Sequence, residues 1–360
     1  MSAPRRPRPC ASCSARRRPR NRCQPCRSDQ PDRRSPVTAA AAVLAVIALI
    51  LAAPAPILLA RADWPTRAPG VALVLWQSIA LAGGVSMIGS LLTFGLVPFG
   101  DSVFRGTLEL GQYLAGASLP PDTLFTHGLA LSGAAILTVH LLLNLTSTFV
   151  SAERQRRRHL HLIGLLSDPL QGRPGLRVID HAAPVAYCLP GGAESATVLS
   201  NGLLRILDAP QLRGVIAHER AHLQQKHHLV LLAFKSWHSA LPWFPIANRA
   251  ETAVALLVEL LADDQARRVV DDRVLATAIA LVASAHTSTV SPVGARADAP
   301  RPAPGRTTVG PAPGSPANRV EPRVRRLVIA QPPLHPGMRA GVLAASASLL
   351  VTPALLLFAA

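Results

Sequence analysis

The chain is poor in aromatic residues, which make up 4% of its 360 positions, and it holds only two lysines, Lys226 and Lys235. Charged residues of all kinds reach 16%, against 49% hydrophobic. That balance excludes a wholly disordered chain, which needs low hydropathy. The apolar residues lie in long blocks, which excludes one large soluble core as well. Cysteine is also scarce. Five cysteines, four of them within the first 26 residues, cannot frame a disulfide scaffold. The formal charge is +17, and residues 1–36 supply +9 of it through 11 Arg and two Asp. A composition rich in Arg, Pro and Ala reflects a GC-rich coding sequence more than a nucleic-acid surface, so no specific nucleic-acid partner is expected.

Four apolar stretches are long enough to cross a bilayer, which takes about 20 residues. Val37–Ala60 and Ala68–Gly100 carry no charge, and the stretch between Asp122 and Glu153 has only His127 and His140 as titratable groups. The fourth is Ala340–Ala360. Five regions follow: a basic tail over 1–36, three transmembrane helices within 37–152, a folded polar unit over 153–287, a Pro/Gly/Ala-rich linker over 288–337, and a C-terminal transmembrane helix over 338–360. Arg154, Arg156, Arg157 and Arg158 directly follow the third span and point to a cytoplasmic polar unit by the bias of basic residues toward the inner side. The arginines of the tail contradict that orientation unless residues 1–36 are untranslated, with Val37 as the start. Cys10-x-x-Cys13 and Cys23-x-x-Cys26 form a possible zinc knuckle; the alternative is an unstructured tail. Cys188 reads as a small buried hydrophobe.

The chemistry lies in Val215–Val230, VIAHERAHLQQKHHLV, which contains the HExxH His218-Glu219-Arg220-Ala221-His222. On a helix, residues four apart share a face, so both imidazoles reach one metal ion while Glu219 takes a proton from bound water. Asp208 is the expected N-cap, with Pro210 in the first turn. A second helix is expected over Glu251–Val270. On it, Glu259 and Asp263 are four apart: Glu259 as third ligand, Asp263 as acceptor for the free N–H of a ligating histidine. An acid such as Glu259 inside an apolar run is not expected to stay unpaired. His227 and His228 are further candidates near the site, and Arg267, Arg268 and His227 are candidates for stabilising an oxyanion. Residues 229–247 read as a buried helix or as a membrane-dipping hairpin through Trp237, Trp243 and Phe244. Arg177–Asp180, Val185–Leu189 and Ala196–Ser200 read as short strands, with Pro190-Gly191-Gly192 as a turn.

HERAH followed by ELLAD, 37 residues beyond His222, resembles the gluzincin peptidases. The segment from Ala183 to His228, together with three spans before it and one after, resembles the M56 membrane metallopeptidases, which include the BlaR/MecR receptors. The resemblance implies a mainly α membrane protein: four transmembrane helices and a cytosolic α+β zincin domain. It implies one Zn2+ per chain held by His218, His222 and Glu259, with Glu219 as general base, and a multi-pass protein of the cell membrane. Ala196–Ser200 is the strand expected to pair with an extended substrate. The expected function is endoproteolysis of cytosolic or membrane-proximal proteins, including a BlaI/MecI-type repressor. A quality-control protease resembling HtpX, or a non-catalytic metal-binding scaffold, are the alternatives. No S-x-x-K motif is present, so a penicillin-binding sensor is not expected.

Overall fold

The computed structural model describes residues 36–169, 175–189, 196–241, 245–289 and 316–359. The paired CxxC motifs, the Pro190–Gly192 turn, Trp243 and Phe244, and residues 290–315 of the expected linker lie outside the described residues.

The first span is two helices, α1 (Pro36–Ala52) and α2 (Pro54–Arg61), split where Pro54 opens the second. A proline mid-helix removes a donor and clashes with the preceding turn, so the helix restarts there. α3 (Pro69–Leu96) is the second span, α4 (Val103–Leu114) a short amphipathic connector, and α5 (Phe125–Leu166) the third span. Among the described residues four segments are long and apolar enough to cross a membrane: Val37–Arg61, Pro69–Phe99, Phe125–Leu166 and Pro336–Ala359. α5 has 42 residues, so it is about 60 Å long, roughly twice the hydrocarbon thickness. It therefore carries the basic stretch Arg154–Arg158 out of any bilayer its first half spans.

After α5 come β1 (Ser167–Pro169), β2 (Leu176–Ile179), β3 (Ala186–Leu189) and β4 (Ala196–Ser200). They form one sheet in the order β1-β2-β4-β3, with β2 and β4 parallel and the outer pairs antiparallel. This corrects the expectation for Ala196–Ser200. β4 is bonded on both sides and Thr197, Val198, Leu199 and Ser200 are all buried. The edge is β3. A strand buried on both faces belongs inside a sheet, not at a rim open to a peptide.

Six further helices follow: α6 (Asn201–Ile206), α7 (Ala209–Gln224), α8 (His227–Ala240), α9 (Pro245–Ala266), α10 (Asp272–Thr289) and α11 (Pro316–Val328). The last span, α12, is Pro336–Ala359. Residues 316–328 fell within the expected linker. They form a helix instead, because Leu327 is buried with Ala266, Leu275, Ala276 and Ile279.

The sheet and α7 share one core through Leu176, Leu199, Leu203, Leu207 and Ile216, joined by Ala278 of α10. A larger core joins the spans to α8 and α9: Leu51, Leu59, Ala72, Trp76, Ile79 and Ala82 pack with Phe234, Ala250, Val254, Leu257 and Val258. α8 is tied to α5 as well, through Asn144 Nδ2 donating to the Ser236 carbonyl at 2.6 Å. Gly84 on α3 admits the Trp237 ring, since a β-carbon there would lie 2.9 Å from it. Of the two expectations for residues 229–247, α8 is thus a helix packed against the spans, with Phe234 and Ala240 buried.

Candidate metal centre

α7 starts where local chemistry dictates. Asp208 Oδ1 accepts the N–H of Gln211 at 2.8 Å, and Gln211 Oε1 accepts the N–H of Asp208 at 3.1 Å. Pro210 occupies the first turn, where its missing N–H costs nothing. The helix turns Gly214, Ile216 and Ala221 inward. Its HExxH face then looks onto α9, which brings Glu259. Single ligand atoms of His218, His222 and Glu259 all lie within 4.8 Å of one another. The two histidine Nε2 atoms are 3.1 Å apart. Glu259 places Oε2 3.5 Å from the first and Oε1 3.8 Å from the second.

The surrounding partners fix the ring tautomers. His218 Nδ1 lies 2.9 Å from Asp263 Oδ1; an ionised carboxylate only accepts, so Nδ1 carries the proton. On the other side, α7 ends at Gln224, and the left-handed backbone of Lys226 (φ 51°) turns the chain into α8. That turn sets His227 against His222, with Nδ1 to Nδ1 at 3.1 Å, and His227 Nε2 donates to Gln225 Oε1 at 2.9 Å. His227 Nδ1 is then an acceptor and takes the Nδ1–H of His222. The Nε2 atoms of both rings then face each other and the Glu259 carboxylate. Three ligand-type atoms converging on one point suit a cation, and a His-His-Glu set suits zinc.

The charges agree. Arg323 of α11 donates from Nη1 to Glu259 Oε2 at 2.8 Å and from Nη2 to Asp263 Oδ1 at 2.7 Å. Its Nη2 also lies 3.4 Å from His218 Nδ1. Arg323 thus offsets part of the acidic charge of Glu259 and Asp263.

Burial decides the proton affinities. Burial pushes Glu219 up to about 7, only partly offset by His218 and by a backbone hydrogen bond from Cys188 on β3. For Glu259, burial is outweighed by the His218 hydrogen bond and by Arg323, which hold its carboxyl down at about 2. Asp263 is likewise held well below the usual carboxylate range by Arg323 and His218. Burial lowers both His222 and His227 to about 4, so both stay neutral at pH 7. His218 goes the other way: hydrogen bonds to Asp263 and Glu259 overcome its burial and raise it to about 9. Away from the cluster, burial pushes the Cys188 thiol up to about 11, with Sγ 3.0 Å from Thr197 Oγ1.

The structure brings together His218, His222, Glu259 and Asp263, and Glu219 stands beside them under β3. Arg267 is occupied elsewhere, by Asp272 at 2.6 Å and Asp264 at 3.6 Å. The cation at the cluster is Arg323, which the sequence reading missed. Its signal was a basic run inside a segment whose composition reads as linker.

Residues 152–289 match Peptidase family M48. The match indicates a metallopeptidase domain, and M48 peptidases are zinc-dependent. It corrects the M56 resemblance: HExxH and a distant glutamate are what zinc hydrolysis demands, and those residues alone do not separate the two families. No solved structure matches the chain.

Proposed function

We propose that the chain is a membrane-embedded zinc endopeptidase with its active site on the cytoplasmic side. The observation that carries this reading is the convergence of His218 Nε2, His222 Nε2 and Glu259, next to the half-buried Glu219. His218, His222 and Glu259 would hold the ion, which supplies Lewis-acid polarisation and an acidified water when bound. Asp263 and His227 keep the two imidazoles in the ligating tautomer. Glu219 takes the proton of the attacking water and passes it to the leaving amide nitrogen; its near-neutral proton affinity suits both halves of that exchange. β3 supports this role, because Cys188 bonds to Glu219 through its backbone while the strand's outer edge has no strand partner among the described residues. An extended peptide laid along that edge would present its carbonyl beside Glu219.

The orientation rests on Arg154–Arg158 leaving the third span. Of the two substrate classes, the M48 match favours quality-control proteolysis resembling that of HtpX over cleavage of a BlaI/MecI-type repressor. The presence of Glu219 argues against a scaffold that only binds metal.

The test uses the full chain in detergent with an unfolded protein substrate. A chelator abolishes cleavage, stoichiometric zinc restores it, and Glu219→Gln lowers the rate by about 10³-fold while zinc is retained. Undiminished cleavage by Glu219→Gln contradicts the reading.

A further inference from the structure

The matched peptidase region ends at residue 289, yet the cluster contains a side chain from beyond it. Arg323 is largely buried, with a side-chain exposure of 13%. Its guanidinium fork spans the two acids of α9: Nη1 on Glu259 Oε2, Nη2 on Asp263 Oδ1, and Nε on Asp263 Oδ2 at 2.8 Å. Three bonds from one planar group fix the relative position of two carboxylates one turn apart. Those carboxylates are the third member of the candidate ligand set and the acceptor that orients His218.

We infer that Arg323 is a positioning residue of the metal centre, holding Glu259 and Asp263 in ligating geometry from a helix beyond the matched region. The inference rests on the zinc reading above. Gripping one oxygen of Glu259 turns the other, Oε1, toward His222 Nε2. Gripping both oxygens of Asp263 fixes the acceptor of His218 Nδ1–H. Without the fork, Asp263 would be a nearly inaccessible anion with one imidazole partner, and Glu259 would be free to rotate. Docking of α11 and gripping of the acids are separable. Arg326, three residues on, binds Asp264 at 2.7 Å and touches none of the candidate ligands in the described contacts. Leu327 supplies the apolar anchor.

The experiment measures zinc affinity of the purified full chain by competition with a chromophoric chelator, and records the Co2+ absorption spectrum of the substituted protein. Arg323→Ala is expected to weaken zinc binding at least about 10-fold and to alter the Co2+ bands, as loss of a group orienting a ligand does. Arg323→Lys keeps the charge but not the fork and should recover part of the affinity. Arg326→Ala, which loosens α11 while leaving the fork in place, should stay within about twofold of wild type. Should Arg323→Ala misfold, the lysine variant carries the comparison. Equal or tighter zinc binding by Arg323→Ala overturns the inference, since the guanidinium would then be competing with the ion for Glu259. An equal loss in Arg326→Ala overturns it too, because docking alone would matter. If wild type binds no zinc, the zinc reading itself fails; if wild type binds zinc and cleaves protein while Arg323→Ala does so equally well, only this inference fails.

Discussion

α7 and α11 meet the same helix, α9, and hold it by different means. α7 contributes imidazoles and is fixed by apolar packing: Ile216 sits in the core shared by the sheet and α10. α11 contributes guanidinium groups, with Arg323 on Glu259 and Asp263 and Arg326 on Asp264, and among its described residues buries Leu327, with Val320 and Val324 partly buried beside it. The ion pairs of α11 must repay the desolvation of every charge they use, whereas the apolar face of α7 contributes directly. α7 is therefore expected to be integral to the fold and α11 to be the more readily released of the two.

The largest effect should separate them by truncation. Ile216→Ala removes buried volume from the shared core and should cost about 2–5 kcal/mol of global stability, read from denaturant unfolding. Leu327→Ala should leave that transition nearly unchanged and instead speed hydrogen exchange within α11 alone. Similar global losses for both variants would erase the difference between the helices.

A smaller effect tests the tautomer argument on α7. His227→Ala removes the acceptor for His222 Nδ1–H and should weaken zinc binding by about 10-fold, measured by chelator competition. The variant still has all three candidate ligands, so unchanged affinity would show that His227 only fills space.

The smallest effect concerns the turn that delivers His227. Lys226 has a left-handed backbone, which costs a residue with a side chain about 1 kcal/mol. Lys226→Gly should raise the melting temperature by a few degrees, although added freedom in the unfolded chain offsets part of the gain. A lower melting temperature would mean that the lysine side chain contributes more than its backbone costs.

How much of this was legible in the sequence follows the same division. The spans could be read because crossing a bilayer demands long uncharged runs, and α7 because capping and the i, i+4 spacing are local rules. Glu259 was visible as an acid stranded among apolar residues. The strand order was not, because β4 looks the same whether its second neighbour is β3 or a substrate. Arg323 was hidden for a different reason. α11 is held by partners about 60 residues away in sequence, Asp263 and Asp264, and its apolar period of Val320, Val324 and Leu327 is short and follows a long Pro- and Gly-rich stretch that reads as linker. The M56 resemblance failed where the motif is common property of the chemistry.

The most direct test of the account is the zinc X-ray absorption spectrum of the purified full chain, compared with that of Glu259→Ala. The account predicts one zinc per chain with nitrogen and oxygen neighbours at about 2.0–2.1 Å, no sulfur shell, and loss of most bound zinc in Glu259→Ala. A sulfur shell near 2.3 Å, or full zinc occupancy with an unchanged spectrum in Glu259→Ala, would contradict it.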